Sequence, residues 1–347
     1  MHMPRKLQST NCIYTYKNKA VILVYVDDLA IFAKNKETLD EVIGLLAGRY
    51  EIKNLGEVRK FLGVEFERRD GRWRIHQASY IEALAKHYGL EETRRVLIPL
   101  DAGIALMSDR KAEIGVAETT RYRSLIGALM FLASRTRPDI QFAVTCLSQY
   151  NSCPSPDKWR LLQRVLKYAH STRNLSINCE PMSGQPKLVM YTDSSWASSL
   201  EDRKSWSGYI GLIADIPITW RTTKQRCVTL STMESEFVGL SSAMIEVKWL
   251  HALCTELNWL NVGLPTKVLC DNQAAIAYAQ NYNEHMQSKH IDIKYKFVRE
   301  ALKEQMCELS YVTSSNNLAD MFTKPLPKTP FERFRDSVMS KDYEQFT

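Results

Sequence analysis

No C-x-x-C pair occurs among the eight cysteines, Cys12, Cys146, Cys153, Cys179, Cys227, Cys254, Cys270 and Cys307, and no nearby histidine supplies zinc-ligand spacing. That argues against a structural zinc site and against a disulfide-stapled scaffold; scattered thiols suit a reducing, intracellular compartment. The opening MHMPRKLQST lacks the apolar core of a signal peptide. No apolar run approaches the ~20 residues that span a bilayer. The longest, residues 21–33, is split by Asp27 and Asp28. Internal repeats and low-complexity segments are absent too. These absences together predict a soluble, intracellular, globular chain with no membrane partner. One further absence matters below: residues 1–20 contain no Asp and no Glu.

What is present fits two domains. The chain has 347 residues, 45% of them hydrophobic, enough for two cores at roughly 150 residues per domain. Its net charge of +7 is a mild basic bias, compatible with a nucleic-acid partner without requiring one.

Hydrophobic periodicity places the elements. The β-branched run Val21–Tyr25 and the run Leu29–Ala33 read as a hairpin with two acids at its tip. Helical spacing follows over 37–50. Residues 61–68 and 72–76 read as strands around an Asp70-Gly71 turn, and 79–88 as a helix ending near Gly89. From 119 to 168 the pattern is helical, with segments at 122–134 and 156–168. The Pro- and Gly-bearing stretch 179–186 reads as a linker. Beyond it come strands at 187–192, 207–213 and 217–221, then a long helix over 232–257. A strand at 267–270, helices at 273–279 and 292–303, a strand at 308–312 and a short helix at 318–323 complete the pattern. Three leading strands make a meander, and the later strands need crossovers. The prediction is a mixed α/β sheet with helices on its faces.

Two acidic sites stand out. Asp27 and Asp28 lie between two apolar strands, so the turn reads as embedded. A buried pair of carboxylates is costly without a metal or a partner. An ordinary surface turn is the competing reading. The second site has four acids at element ends: Asp193 after the first strand of the second domain, Glu236 early in the long helix, Asp271 after the next strand, and Asp320 opening the last short helix. Element ends are where an α/β sheet exposes polar groups around a crevice. Such acids repel one another unless cations neutralise them, and an oxygen-rich set suits Mg²⁺, with Mn²⁺ as the alternative. Capping or solvation would explain any one of them alone. Glu234 competes with Glu236 but would point roughly 160° away on the helix.

Basic residues suggest phosphate contacts. Arg160, Arg164 and Lys167 share one helix face; Lys224 and Arg226 precede the long helix. A solvated surface is the alternative for both groups. His290 is a candidate proton shuttle, with a structural histidine the better reading.

Tyr25-Val26-Asp27-Asp28 matches the palm signature of reverse transcriptases. FLGVEF, YRSLIGALMFLASRTRPDI, DRKSWSGYI, TLSTMESEF, CDNQAAI, KHIDIKYKFVRE and LADMFTKPLP resemble copia-type LTR-retrotransposon Pol polyproteins, in that family's order. The helix start at Glu236 is also similar to that of retroviral ribonucleases H. Phe237, Trp206 and Ser194-Ser195 depart from the family's usual residues but leave the acids intact. No histidine occurs in residues 310–319, where a cellular ribonuclease H carries one.

The resemblance implies a partial reverse-transcriptase palm over 1–105, a helical thumb/connection and linker over 106–185, a ribonuclease H-like mixed-sheet domain over 186–327, and a peripheral tail over 328–347. It implies two Mg²⁺ ions at Asp193, Glu236, Asp271 and Asp320, and a further metal role for Asp27 and Asp28. The palm needs another aspartate, which residues 1–20 do not supply, so the polymerase site is expected to be incomplete. The substrates implied are RNA–DNA hybrid, template RNA and DNA. The partners implied are other parts of the polyprotein and a capsid-like particle, in the cytoplasm and, secondarily, the nucleus. The alternative is a catalytically silent element remnant that only binds nucleic acid or a protein.

Overall fold

The computed structural model describes residues 4–92, 94–104, 114–179, 186–258, 265–280 and 289–339, with 289–292 by backbone alone. The element order is β1 (Arg5–Lys6), β2 (Ile13–Tyr16), β3 (Ala20–Tyr25), β4 (Asp28–Ala33), α1 (Lys36–Ala47), β5 (Lys60–Phe61), β6 (Val64–Arg69), β7 (Arg72–His76), α2 (Ala78–Tyr88), α3 (Val116–Arg135), α4 (Gln141–Ser148), α5 (Pro156–Ser171) and β8 (Ile177–Cys179). Then follow β9 (Leu188–Ser195), β10 (Trp206–Ile213), β11 (Ile216–Lys224), α6 (Thr232–Glu256), β12 (Thr266–Cys270), α7 (Gln273–Gln280), α8 (Lys289–Lys303), β13 (Cys307–Tyr311), a 3-10 turn at Leu318–Phe322 and α9 (Lys328–Val338).

The second half is built on a five-stranded sheet in the order β11-β10-β9-β12-β13. β9, β10 and β11 are antiparallel neighbours, whereas β12 runs parallel to both β9 and β13. The mixed α/β sheet with a leading meander is as expected. Period-two alternation assigns the two faces of β10. Tyr209 and Ile213 join Leu188, Met190 and Val268 under Phe237, Leu240, Met244 and Val247 of α6. Ile210 and Leu212 point the other way, into a core shared with Tyr122, Leu129, Leu162 and Phe322. α6 is apolar and long enough, at 25 residues, to cross a membrane by composition alone; here that hydrophobicity packs it on the sheet.

The first half carries two smaller sheets, β1-β2-β3-β4 and β5-β6-β7-β8. Several details depart from the sequence expectation. Residues 61–68, read as one strand, are broken by a left-handed turn at Leu62-Gly63. α4 falls within the span read as helical but was not resolved as a segment of its own. β8 closes a sheet with β7, so the stretch read as helix and linker contributes a strand. The linker core, 180–185, and the boundary at 105/106 lie outside the described residues. The hairpin tip is not embedded: Tyr25 is 55% and Val26 86% exposed. Its flanking strands are apolar because their other faces cover α1 through Ile22 and Val42.

The largest correction concerns the tail. α9 is not peripheral. Phe331, Phe334, Val338 and Met339 are buried in the main core, and Arg335 is only 2% exposed. Phe331 packs edge-on against Tyr168 of α5. The apolar spacing 331, 334, 338 is helical, and its burial explains why a tail this short folds.

Beneath α9 lies a buried ion pair. Arg137 donates to both carboxylate oxygens of Asp139, at 2.9 and 2.7 Å. Its remaining donors reach the carbonyls of Ala169 and Thr172 and the Thr172 hydroxyl. The Tyr168 hydroxyl donates to Asp139 at 2.7 Å. Burial opposes both charges, yet their contact holds Asp139 below and Arg137 above the ordinary values. Removing one partner strands the other charge in the core, which costs ~3–5 kcal/mol. Asp139→Ala should therefore lower unfolding stability by about that amount in urea titration, while Arg137→Met with Asp139→Leu should recover most of it. Equal losses in the single and double variants would show that the pair is not the anchor.

Candidate metal centre

The site is assembled by two strands of the mixed sheet, the helix α6 and the 3-10 turn. Asp193 sits within β9, not at its end, because Asp193, Ser194 and Ser195 continue the ladder opposite Gly208, Ser207 and Trp206. Asp193 as a whole is 2% exposed. Glu236, 4% exposed, enters from the first turns of α6. Asp271 follows β12 directly and is half-buried; Asp320, 7% exposed, lies on the 3-10 turn.

The start of α6 separates its two glutamates. Ser231 caps the helix by accepting from the Glu234 amide at 3.1 Å, and the Glu234 carboxylate accepts from the Leu230 amide at 2.7 Å. These two bonds hold Glu234 at the helix entrance. Glu236, two residues on, turns inward as expected. Close packing of helix on sheet brings it there. A β-carbon at Gly239 would lie 2.4 Å from the Ser194 hydroxyl oxygen, so only glycine lets α6 approach β9 so closely. Gly208 does the same for the 3-10 turn, where a β-carbon would lie 2.5 Å from that of Phe322.

All four carboxylates meet in one crevice. Ligand oxygens of Asp193, Asp271 and Asp320 lie within 4.8 Å of one another, and so do ligand atoms of Glu236, Cys270 and Asp271. Asp271 belongs to both sets. The Ser314 hydroxyl donates to Asp271 at 2.6 Å. Asn317, fully buried, donates to the Thr192 carbonyl at 3.0 Å and accepts from the Ala319 amide. That ties the turn carrying Asp320 to the strand carrying Asp193.

Sequence reasoning missed several neighbours. The Thr323 hydroxyl donates to Asp193. The Lys324 ammonium lies 2.9 Å from Asp320 and 3.8 Å from Asp193. The Cys270 sulfur lies 4.0 Å from a Glu236 oxygen. Thr323 and Lys324 lie three and four residues after Asp320 in LADMFTK, so the signal was near at hand. A lone Thr-Lys pair carries no periodicity, and only the fold reveals what it faces.

The electrostatics record the crowding. Burial, then the charges of Asp193 and Asp271, push Glu236 well above the usual carboxylate range. Burial raises Asp193 as well, against the pull of Lys324 and Thr323. Burial and Asp193 together bring Asp320 up to about 7. Burial and Glu236 raise the Cys270 thiol, so it stays protonated at neutral pH.

The other candidates lie elsewhere. Asp27 occupies the β3–β4 turn and Asp28 pairs with Tyr25; both are exposed. Among the described residues, neither joins a group of three metal-competent side chains. Arg160 pairs with Asp157, and Arg164 with Asp101 at 2.6 Å; Lys167 is half-buried on the same helix. The basic stripe is therefore partly neutralised by its own acids. Lys224 bonds Asp202 at 3.0 Å over the Trp206 ring, and Arg226 is exposed before α6. His290 falls in α8, but its side chain lies outside the described residues.

The carboxylate shifts fix the sign of a pH effect. A folded-state value raised above that of the unfolded chain means that folding retains protons. Stability is then greatest in mild acid and is lost as pH rises from about 4 to about 7. Metal-free protein should melt roughly 5 °C higher at pH 5.5 than at pH 8. Asp320→Asn, which cannot ionise, should flatten much of that difference. An unchanged pH dependence in the variant would contradict the crowding described here.

The reverse transcriptase (RNA-dependent DNA polymerase) family profile matches residues 5–102. The chain is 31% identical, over 96% of its length, to the Retrovirus-related Pol polyprotein from transposon TNT 1-94 of Nicotiana tabacum, covering 26% of that protein. It is likewise 31% identical over 96% of its length to the Retrovirus-related Pol polyprotein from transposon RE1 of Arabidopsis thaliana, covering 22% of it. The chain thus spans about a quarter of the length of these curated relatives. Among solved structures, a foamy viral protease-reverse transcriptase in complex with RNA/DNA hybrid aligns with 84% of this chain and 36% of its own, at 14% identity and a TM-score of 0.46. LC11-RNase H1 in complex with RNA/DNA hybrid aligns with 40% of this chain and 94% of its own, at 12% identity and a TM-score of 0.30. Over nearly its whole length the chain is thus similar to copia-type retrotransposon Pol polyproteins, and its first third matches the reverse transcriptase family.

Proposed function

We propose that the second half of this chain hydrolyses the RNA strand of RNA–DNA hybrids at a two-metal carboxylate centre. The observation that carries this reading is the meeting of Asp193, Glu236, Asp271 and Asp320 in one crevice, three of them buried. Buried acids with raised values are costly unless cations compensate them, so the cluster is hard to explain as packing.

The donor set fits Mg²⁺ or Mn²⁺. It is dominated by carboxylate oxygens, the preference of hard cations. Cys270 does not convert it to a soft site, because its thiol is held protonated. Asp193, Asp271 and Asp320 would hold one ion, and Asp271 with Glu236 the other. Bound there, the metals supply Lewis acidity and an activated water for in-line displacement at phosphorus. The chain's own part is to pre-position the acids. Thr323 orients Asp193, Ser314 orients Asp271, and Asn317 fixes the turn bearing Asp320. Lys224 and Arg226, and on α5 Arg160, Arg164 and Lys167, would contact phosphates along the hybrid and its template. Contacts to the RNA 2′-hydroxyls would separate its strand from DNA.

The Asp27–Asp28 hairpin is read as a palm element. It gains no third acid from residues 1–20, so templated synthesis by this chain alone should be undetectable. The working location is a capsid-like particle in the cytoplasm, alongside the rest of the polyprotein, with the nucleus as the later compartment.

Asp193→Asn tests the hydrolysis. It keeps the side-chain shape but removes one charge from the metal cage. Hybrid cleavage, dependent on Mg²⁺ or Mn²⁺ and leaving a 3′-hydroxyl on the RNA, should fall by more than about a thousandfold. Hybrid binding should persist, since it rests on phosphate contacts elsewhere. A labelled-hybrid time course at matched salt reads the rate. Cleavage within about tenfold of the parent would remove Asp193 from the principal ligands. An inert but folded parent would favour the silent binding-module reading.

A further inference from the structure

We infer that Lys324 is a built-in counterion of the carboxylate crevice, competing with the divalent metal for Asp193 and Asp320 and thereby setting how tightly the site takes up its ions. The inference rests on the metal-centre reading proposed above.

Three observations support it. The first is placement. The ammonium lies 2.9 Å from Asp320 and 3.8 Å from Asp193, on oxygens of the very set that would hold an ion. A cation there lowers the mutual repulsion of the acids, as a metal would, so the two occupy the same electrostatic role.

The second is anchoring. The backbone before Lys324 is pinned on both sides. The Thr222 hydroxyl donates to the Phe322 carbonyl at 2.7 Å, and Phe322 packs against Gly208 of β10. The Lys324 amide bonds the Asp320 carbonyl at 3.3 Å, and Pro325, next in the chain, disfavours helical backbone at Lys324. The ammonium is thus delivered from a fixed point at the rim.

The third is freedom at the tip. The Lys324 side chain is 38% exposed, whereas that of Asp193 is 3% exposed. Four methylene torsions join the ammonium to its anchor. Lys324 can leave the crevice for solvent when an ion arrives; the aspartates cannot. Displacement would then cost the lysine only its ion pair. A guanidinium in its place would keep the charge but bond the carboxylates in a more rigid, forked geometry.

The proposal separates stability from metal affinity, and the test reads both. Mn²⁺ binding to the full chain is measured by calorimetry and electron paramagnetic resonance, without substrate, alongside melting of the metal-free protein. Lys324→Met should bind Mn²⁺ about tenfold more tightly, because the competitor is gone, and should melt lower without metal. Lys324→Arg should restore the metal-free melting temperature and bind no more tightly than the parent. If Lys324→Met does not fold, Lys324→Gln, which keeps a polar tip, takes the same measurement. Unchanged Mn²⁺ affinity in the folded neutral variant would overturn the counterion role while leaving the metal centre standing. A parent that binds no Mn²⁺ at all would overturn the metal-centre reading, and this inference with it.

Discussion

Mutual repulsion among buried carboxylates is the constraint around which the second half of this chain is organised. An isolated ionised acid in a protein interior is expensive, and here Asp193, Glu236 and Asp320 are all below a tenth exposed. Each compensating feature answers that cost. Thr323 and Lys324 face Asp193 and Asp320. The Ser194 amide faces Glu236. Ser314 faces Asp271 at the rim. Raised values for three acids show that these partners do not suffice. The residual unfavourable charge is what a pair of divalent cations would relieve, so the chemistry proposed follows from the crowding of these acids.

Holding that crevice requires a stiff platform. The sheet has both faces covered, by α6 to α8 on one side and by helices of the first half on the other. Trp220 of β11 donates to the Ala133 carbonyl of α3 at 2.7 Å, joining the sheet to the helical region directly. The Arg137–Asp139 pair, with Tyr168 and Thr172, fixes the helices to one another. α9 closes the same core through Phe331 and Phe334. A contact of another kind reaches the first strands: Glu256, at the end of α6, accepts from the amides of Gln8 and Ser9 at 2.6 and 2.9 Å. The acids near the start of α6 and the chain's opening residues are thereby linked through one helix.

The elements of the second half were legible because their periodicities are strong. β10 alternates between two cores, and α6 begins where the helical spacing placed it. Helix geometry set Glu234 and Glu236 on different faces, the resemblance of the helix start to retroviral ribonucleases H favoured Glu236, and the structure brings all four acids named from sequence into one crevice. What was illegible depends on distant contacts. Asp193 was placed at a strand end because polar residues follow it; pairing with residues 206–208 carries the strand on. The hairpin acids looked embedded because apolar strands flank them, but alternation gives a strand one buried face and leaves its tip free. α9 looked peripheral because it is short and charged, with three aromatic and aliphatic residues on a single buried stripe. Lys324 and Cys270 were passed over because neither belongs to a pattern; only their distances to the acids mark them.

The central claim is that these carboxylates form a two-metal centre for hybrid hydrolysis. A crystal structure of the chain with an RNA–DNA hybrid, grown in Mn²⁺ with an uncleavable phosphorothioate at the scissile position and examined by anomalous scattering, tests it most directly. The account predicts two manganese peaks roughly 3.5–4 Å apart, both within bonding distance of Asp271, with an RNA phosphate between them and the Lys324 ammonium displaced. A hybrid bound away from Asp193, Glu236, Asp271 and Asp320, with no anomalous peak among them, would contradict it.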